Sequence, residues 1–429
     1  MDSYGDINAE HAGPDIVDVL VVGGGLGGLA SAIAARQHGR SVLVLERDAG
    51  PSGVDTGITL WSFAMRALRQ LGLDDAERVG APLERLASYS ANGRPLSDVD
   101  LRAPAREVGE ASFDVHRADL QHALCELLGR EQIRYGAACT DVRQEDDAAV
   151  AVLADGSEVR GRVLVGADGV RSVVRLQVAP KTRVQTSEIG VWRGVLELDE
   201  RMLAPGMHLR IYGPGRVFGA ARLDQRRVRW YAGGAVPAGT AGTWHEVAAR
   251  FGGWCEPVAS IIDASRNSDL LFNDTPRIRP LRRWARGRVA LVGDAAHAAL
   301  PTLGVSGGLA LADGVALGAA LGLGLDAAAL DAYARERGAV GRRIQREAQA
   351  VALVLMPRRP RLLRVRDRLL KPPFAWIQER GVAHLSRGAL TPAVADLAWP
   401  TGPANRRIPA DPDVSVVVSK ARQHPSVTW

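Results

Sequence analysis

Hydrophobic positions fall into two rhythms along the chain, short apolar runs of strand length and longer stretches at helical spacing. From Val17 the order is an apolar run, VDVLVV, a glycine cluster, GGGLGG, a helical stretch, LASAIAARQHG, and a second apolar run, SVLVLER. This succession predicts a strand, a turn, a helix and a parallel strand, the unit that opens an α/β sheet. Helical spacing returns at 61–71 and 117–128; between them Pro82, Asn92-Gly93 and Pro104 predict irregular chain. Residues 162–175, RVLVGADGVRSVVR, predict a buried strand, a tight turn and a helix, and residues 288–297, RVALVGDAAH, a further parallel strand. Residues 187–236 alternate in strand fashion, with turns at Gly213-Pro214-Gly215 and Asp224-Gln225, and predict an antiparallel sheet. A long helix is expected after the glycine-rich stretch 304–308, and helical spacing continues from Ala327 to about Leu370. No internal repeat emerges.

The fold class is therefore α/β, and its first domain is discontinuous. Residues 17–74, 114–180 and 277–345 form a Rossmann-like domain with a mostly parallel sheet. Residues 75–113 and 181–276 form an antiparallel substrate domain, 346–400 a C-terminal helical arm, and 1–16 and 401–429 tails.

The 429 residues, 46% hydrophobic and 24% charged, support ordinary packed cores and exclude disordered and collagen-like classes. Basic residues outnumber acidic ones 54 to 48, and only Lys181, Lys371 and Lys420 are lysines, a bias that GC-rich coding explains. The segment 357–371 alone holds seven basic residues and one acid, Asp367, which accounts for the whole formal excess of +6. The remainder is formally neutral, so nucleic acid is not an expected partner. The segment reads as a solvated basic face on a packed helix, with a membrane surface as the competing reading. Three cysteines without C-x-x-C spacing indicate neither a disulfide framework nor a metal site. The polar, acid-containing first 17 residues do not read as a signal peptide, and the apolar stretch 303–325 carries Asp313 and seven glycines. A cytoplasmic protein, monomer or dimer, is expected.

Gly23, Gly25 and Gly28 satisfy G-x-G-x-x-G directly after a strand and before a helix. The first permits a tight turn, the second lets backbone approach a pyrophosphate, and the third allows close helix packing. Glu46 ends the next strand, where a carboxylate accepts hydrogen bonds from a ribose diol and repels a 2′-phosphate. The fingerprint alone does not separate NAD from FAD. Two further strand-to-helix turns, Asp168-Gly169 in GADGVRSVVR and Gly293-Asp294 in VGDAAHAALP, are not needed by a simple NAD dehydrogenase.

The three segments in this order resemble the FAD-dependent monooxygenases of the para-hydroxybenzoate hydroxylase type, over roughly residues 17–345. The resemblance implies FAD held by Gly23, Gly25, Gly27, Gly28, Glu46, Arg47, Arg117, Asp168, Gly293 and Asp294. It places Pro301 against the isoalloxazine, and the backbone N–H groups of the loop Gly304, Val305, Ser306 and Gly307 at the flavin's pyrimidine edge, where the positive end of the following helix also points. His297 is expected to be a packed residue of the motif rather than a base. The family implies NADPH or NADH as transient reductant, O2 as co-substrate and a flavin C4a-hydroperoxide that transfers oxygen to a small aromatic or polycyclic substrate; no metal is needed. The VWRGV segment resembles a stretch of salicylate and urate hydroxylase relatives, making Arg193 the candidate substrate anchor; a core Trp192 and a solvated Arg193 are the competing reading. The predicted sheet also carries His208, Arg210, Tyr212, Arg222, Trp230 and Tyr231, of which Trp192, Tyr212 and Arg222 join Arg193 as candidate substrate contacts.

The chain departs from the family in two places. The usual P-x-x-G-Q-G-x-N loop has Val305, Ser306 and Gly308 in place of Gln, Gly and Asn, and Phe63 replaces the Asn of G-x-x-L-x-x-N-A. A positive φ at Ser306 would cost about 1–2 kcal/mol. These losses of polar groups leave a second reading, a non-redox cyclase using flavin as a scaffold, and a third, a flavin-free NAD dehydrogenase.

Overall fold

A computed structural model describes residues 16–51, 53, 55–237, 239–355 and 381. The basic segment 357–371 and most of the expected arm lie outside the described residues. Val17–Val22 is the buried centre of an eight-stranded sheet, paired in parallel with Val42–Leu45 on one side and Glu158–Gly166 on the other. Val289–Leu291 and Ile133–Arg134 extend the parallel part outward, and Ala285–Arg286 and the strands Cys139–Gln144 and Ala149–Leu153 add antiparallel pairs. Strands covered on both faces are mostly apolar, which is why VDVLVV, apart from the half-buried Asp18, shows no alternation.

The helix Leu26–Gln37 packs against Ser306–Leu323 at a separation only glycine permits. A Cβ on Gly314 would stand 2.5 Å from that of Ala30, and one on Gly318 would stand 2.3 Å from that of Ala34. Ser306–Leu323 is also the one helix among the described residues long and apolar enough to cross a membrane, and 72% of it is buried within the fold. Its glycines thus serve helix packing.

The second layer is a seven-stranded sheet in the order Leu271–Asp274, Ile189–Glu197, Arg227–Ala235, Arg216–Arg222, Met207–Gly213, Arg85–Ser90 and Pro95–Asp100. It is antiparallel except where Met207–Gly213 meets Arg85–Ser90. The region expected to be irregular is therefore structured, because each breaker sits where its missing donor costs little. Asn92-Gly93 makes the hairpin turn with Gly93 at φ +81°, Pro95 starts an edge strand, and Pro104 falls in the first turn of the helix Arg102–Val108. Pro82 lies on an edge of a small sheet, Gly57–Leu60, Ser112–His116 and Gly80–Leu83. The helix expected after Asp168-Gly169 is only Arg175–Val178, because Asp168 turns the preceding residues back upon its own carboxylate.

Two buried polar clusters tie these layers together. Asp114, fully buried, accepts from Arg229 Nε at 2.7 Å and from Thr59 Oγ1 at 2.9 Å, and Arg229 Nη2 reaches Thr59 at 2.6 Å. This joins the small sheet to the seven-stranded one. The second cluster centres on Asp313, 1% exposed, which accepts from Arg337 Nε at 2.8 Å and the Gly293 amide at 3.1 Å and lies 2.6 Å from His297 Nε2. His297 also stacks on Trp284, so it is a packed residue, as expected.

Replacing Asp313 by alanine strands two buried basic groups and should cost about 3–5 kcal/mol in chemical denaturation. Burial pushes the Asp313 carboxyl up, but His297 and Arg337 together hold it below the ordinary range. Its contribution is thus complete above about pH 4, and the gap between wild type and variant should narrow as pH falls further.

Candidate active site

The first strand delivers the chain to Gly23, whose φ of +107° turns it sharply beside the Glu158–Gly166 strand. A Cβ here would lie 2.5 Å from the Ala167 carbonyl oxygen, and one on Gly28 would lie 1.9 Å from that of Gly23. Around a Cβ at Gly25, in contrast, nothing lies within 4 Å. Gly23 and Gly28 therefore serve the turn, and Gly25 presents bare backbone to a cavity of about 520 Å³. Glu46 is fixed beside the same turn, its Oε2 accepting the Gly24 amide at 2.6 Å and its Oε1 that of Asp48 at 3.0 Å.

The cavity runs between the two layers. Gly25, Gly27, Arg117, Gly293 and Asp294 line it, with Pro301, Gly304, Ser306 and Gly307, and a Cβ on Gly304 would stand 4.0 Å from Arg210 Nη2. The seven-stranded sheet contributes Arg193, Arg210, Tyr212, Arg229, Tyr231 and Asn273 to the same lining. Arg193 Nη1 donates to Asn273 Oδ1 at 3.2 Å. Burial, reinforced by the charges of Arg117 and Arg229, pushes Arg193 down to about 10, the mark of a desolvated cation among other cations. Arg210 sits over the Trp61 ring at 5.9 Å, and Trp61 Nε1 donates to the Leu303 carbonyl at 3.3 Å.

Several expected site residues lie elsewhere. Trp192, 1% exposed, packs against Phe251 and Phe272 in the core beneath the seven-stranded sheet. Arg222 is also buried away from the cavity, donating to the carbonyls of Leu198, Leu203 and Gln225. Strand alternation explains both: Trp192 adjoins the cavity-lining Arg193, and Arg222 shares a face with core residues Phe218 and Ala220. Arg47 has a side chain 78% exposed, 3.6 Å from Asp48, and does not line the cavity. Asp168 faces behind the wall, where its Oδ2 accepts the Val173 and Val174 amides; its Oδ1 is buried without a partner, and burial pushes the carboxyl up. Val305 is buried. Arg229, Asn273, Thr59 and Asp114 were not singled out from the sequence. Alternation through Arg229 and Tyr231 was the available signal for the first.

The altered loop has no strain at Ser306. Gly304 takes the left-handed conformation at φ +64°, and Ser306 opens the helix. The two departures from the family pattern also meet in space: a Cβ on Gly308 would stand 3.1 Å from the Phe63 ring and 2.7 Å from the Ala64 Cβ. The larger side chain at 63 and the missing one at 308 are complementary.

A family model described as an FAD binding domain matches residues 16–348. The chain belongs to that family. Aurachin C monooxygenase/isomerase of Stigmatella aurantiaca is 34% identical over 71% of this chain and 80% of its own length. FAD-dependent urate hydroxylase of Klebsiella pneumoniae is 31% identical over 74% and 85%. The structure of HpxO from Klebsiella pneumoniae complexed with FAD and uric acid superposes with a TM-score of 0.81 at 26% identity, covering 86% of this chain and 97% of that one. In this FAD-dependent monooxygenase the bare backbone at Gly25, the two glycines that admit no Cβ, and the cavity-lining Asp294 are of the chemistry that FAD binding requires.

Gly308→Asn should destabilise this flavoprotein by about 1–3 kcal/mol through overpacking against Phe63. A thermal-denaturation double-mutant cycle with Phe63→Asn should recover part of that loss.

Proposed function

We propose that the protein consumes NADPH or NADH and O2 to insert one oxygen atom into a small planar aromatic or polycyclic substrate bearing acidic oxygens. The observation that carries this reading is that the glycine turn and the arginine-lined sheet open onto one continuous cavity. FAD, when bound, supplies the redox chemistry, taking reducing equivalents from the nicotinamide and activating O2. Glu46, already aligned by two amides, would hold the adenosine ribose, and Arg117 the pyrophosphate region. Asp294 would accept hydroxyl protons from the cofactor's polyol chain. Pro301 and the loop through Gly304 to Gly307 would bound the reacting ring, with the N-terminal end of Ser306–Leu323 favouring negative charge there.

On the sheet side Arg193 and Arg210 would bind and orient the substrate's acidic oxygens, while Val191, Val217 and Leu271 exclude water around its rings. The names of the aurachin C monooxygenase/isomerase and urate hydroxylase relatives support oxygen insertion into a small organic substrate.

The test is NADPH and NADH oxidation by FAD-loaded protein with a panel of polycyclic phenols under labelled dioxygen. The reading expects substrate-stimulated oxidation and a product carrying one labelled oxygen atom; no stimulation, or unlabelled cyclised product, overturns it. Glu46→Arg should weaken FAD retention about tenfold or more on gel filtration, whereas unchanged flavin stoichiometry would refute the ribose role.

A further inference from the structure

Basic residues are spread unevenly over the surface. Two segments, 175–186 and 277–288, hold nine basic residues and no acid. The fold brings them together: Val184–Gln185 pairs antiparallel with Arg277–Ile278, and the short helix Arg175–Val178 packs against Ala285–Arg286 and Val289–Leu291. The second segment then runs along the helix Ala327–Leu355. Arg277 Nη1 donates to Gln349 Oε1 at 2.9 Å, Gln345 Nε2 to the Ile278 carbonyl at 3.3 Å and Arg342 Nη1 to the Leu281 carbonyl at 3.5 Å. Lys181, Arg183, Arg279, Arg282, Arg283 and Arg286 stand exposed on this face, and none has an acidic partner among the described residues.

Apolar side chains stand among these cations. Of the four large hydrophobic side chains exposed among the described residues, three belong to this face: Leu176 at 49%, Val184 at 36% and Leu353 at 73%. Leu176 is on the helix that packs against Ala285–Arg286, Val184 lies opposite Ile278, and Leu353 is one helical turn beyond Gln349. The cavity lining reaches the same place, since Thr275 and Pro276 directly precede Arg277 and Val351 lies two residues before Leu353. Codon bias accounts for arginine in place of lysine, but not for the absence of acids or for the exposed leucines.

We propose that this face docks the protein on the surface of an anionic lipid bilayer, with its arginines on headgroup anions and Leu176, Val184 and Leu353 at the acyl boundary. The proposal does not depend on the monooxygenase reading. Guanidinium groups pair bidentately with phosphate and carboxylate, and a cluster of them is drawn to the negative potential of such a surface. Aliphatic side chains between them gain from burial below the headgroups. A nucleic acid would meet the cations equally well but offers these side chains nothing, and no Phe, Tyr or Trp is exposed among the described residues for a base to stack on. The apolar helix Ser306–Leu323 stays within the fold, so the association is peripheral. The described helix ends at Leu355, close to this face in sequence and space, and residues 357–371 then add seven basic residues against one acid.

The test is co-sedimentation of the FAD-loaded, full-length protein with vesicles of phosphatidylcholine alone and of phosphatidylcholine with about one-third phosphatidylserine, at about 0.1 M and about 1 M salt. At the lower salt, anionic vesicles should bind about tenfold or more tightly than neutral ones, and the higher salt should remove that difference. Arg282→Glu, Arg283→Glu and Arg286→Glu together should lower partition onto anionic vesicles about tenfold or more, with flavin content and thermal midpoint unchanged. The same charge reversal at Arg78, Arg94 and Arg106, exposed on other elements, should lower it less than about twofold. Leu176→Ser with Leu353→Ser should lower it about threefold or more and keep the salt dependence. Docking is overturned if both vesicle compositions bind alike or neither binds, if the first triple variant retains wild-type partition, or if the second loses as much. Unchanged partition of the leucine variant, or binding of duplex DNA without binding of vesicles, rejects the bilayer in favour of another polyanion.

Discussion

The ion pair between Asp114 and Arg229 is the contact on which the geometry of the site depends. It is buried, and it joins strands that belong to different sheets. Two charges so placed are costly to desolvate, and removing one partner would strand the other at about 3–5 kcal/mol. The pair is made possible by a glycine: a Cβ on Gly57 would stand 2.1 Å from Arg229 Cδ. With the small sheet fixed this way, Gly57, Ile58 and Thr59 line the same cavity as the glycine turn and the seven-stranded sheet.

The chemistry of the two sides of the lining is complementary. One is mostly backbone, where glycines and the start of a helix present amide groups, and the other is rich in guanidinium groups. A formally neutral protein body hides this separation, because charge is balanced over the chain and not within the cavity. Asp313 performs for the first side what Asp114 performs for the second. From within Ser306–Leu323 it holds the amide of Gly293, the residue before the cavity-facing Asp294, and ties both to Arg337 on the helix Ala327–Leu355.

The parallel sheet and the glycine turn were legible because their signals are local: apolar runs of strand length, and glycines where backbone must approach closely. The hairpin at Arg85–Ser90 and Pro95–Asp100 was not, since proline and Asn-Gly mark a strand edge as readily as a loop. Of the four candidate substrate contacts, Arg193 and Tyr212 line the cavity, whereas Trp192 and Arg222 face the core, because neighbours in a strand point to opposite faces. Asp114 and Arg229 stand 115 residues apart, so their pairing follows from topology alone. The same holds for Phe63 and Gly308, which read separately as losses of polar groups and together as one repacked contact.

Flavin redox chemistry in this cavity, as against a scaffold role, is tested by anaerobic stopped-flow mixing of the FAD-loaded protein with NADPH and, separately, with NADH. At least one nicotinamide should bleach the flavin absorbance, faster when a phenol occupies the arginine-lined side. A flavin that stays oxidised with both, in the presence and absence of phenols, would leave it a scaffold.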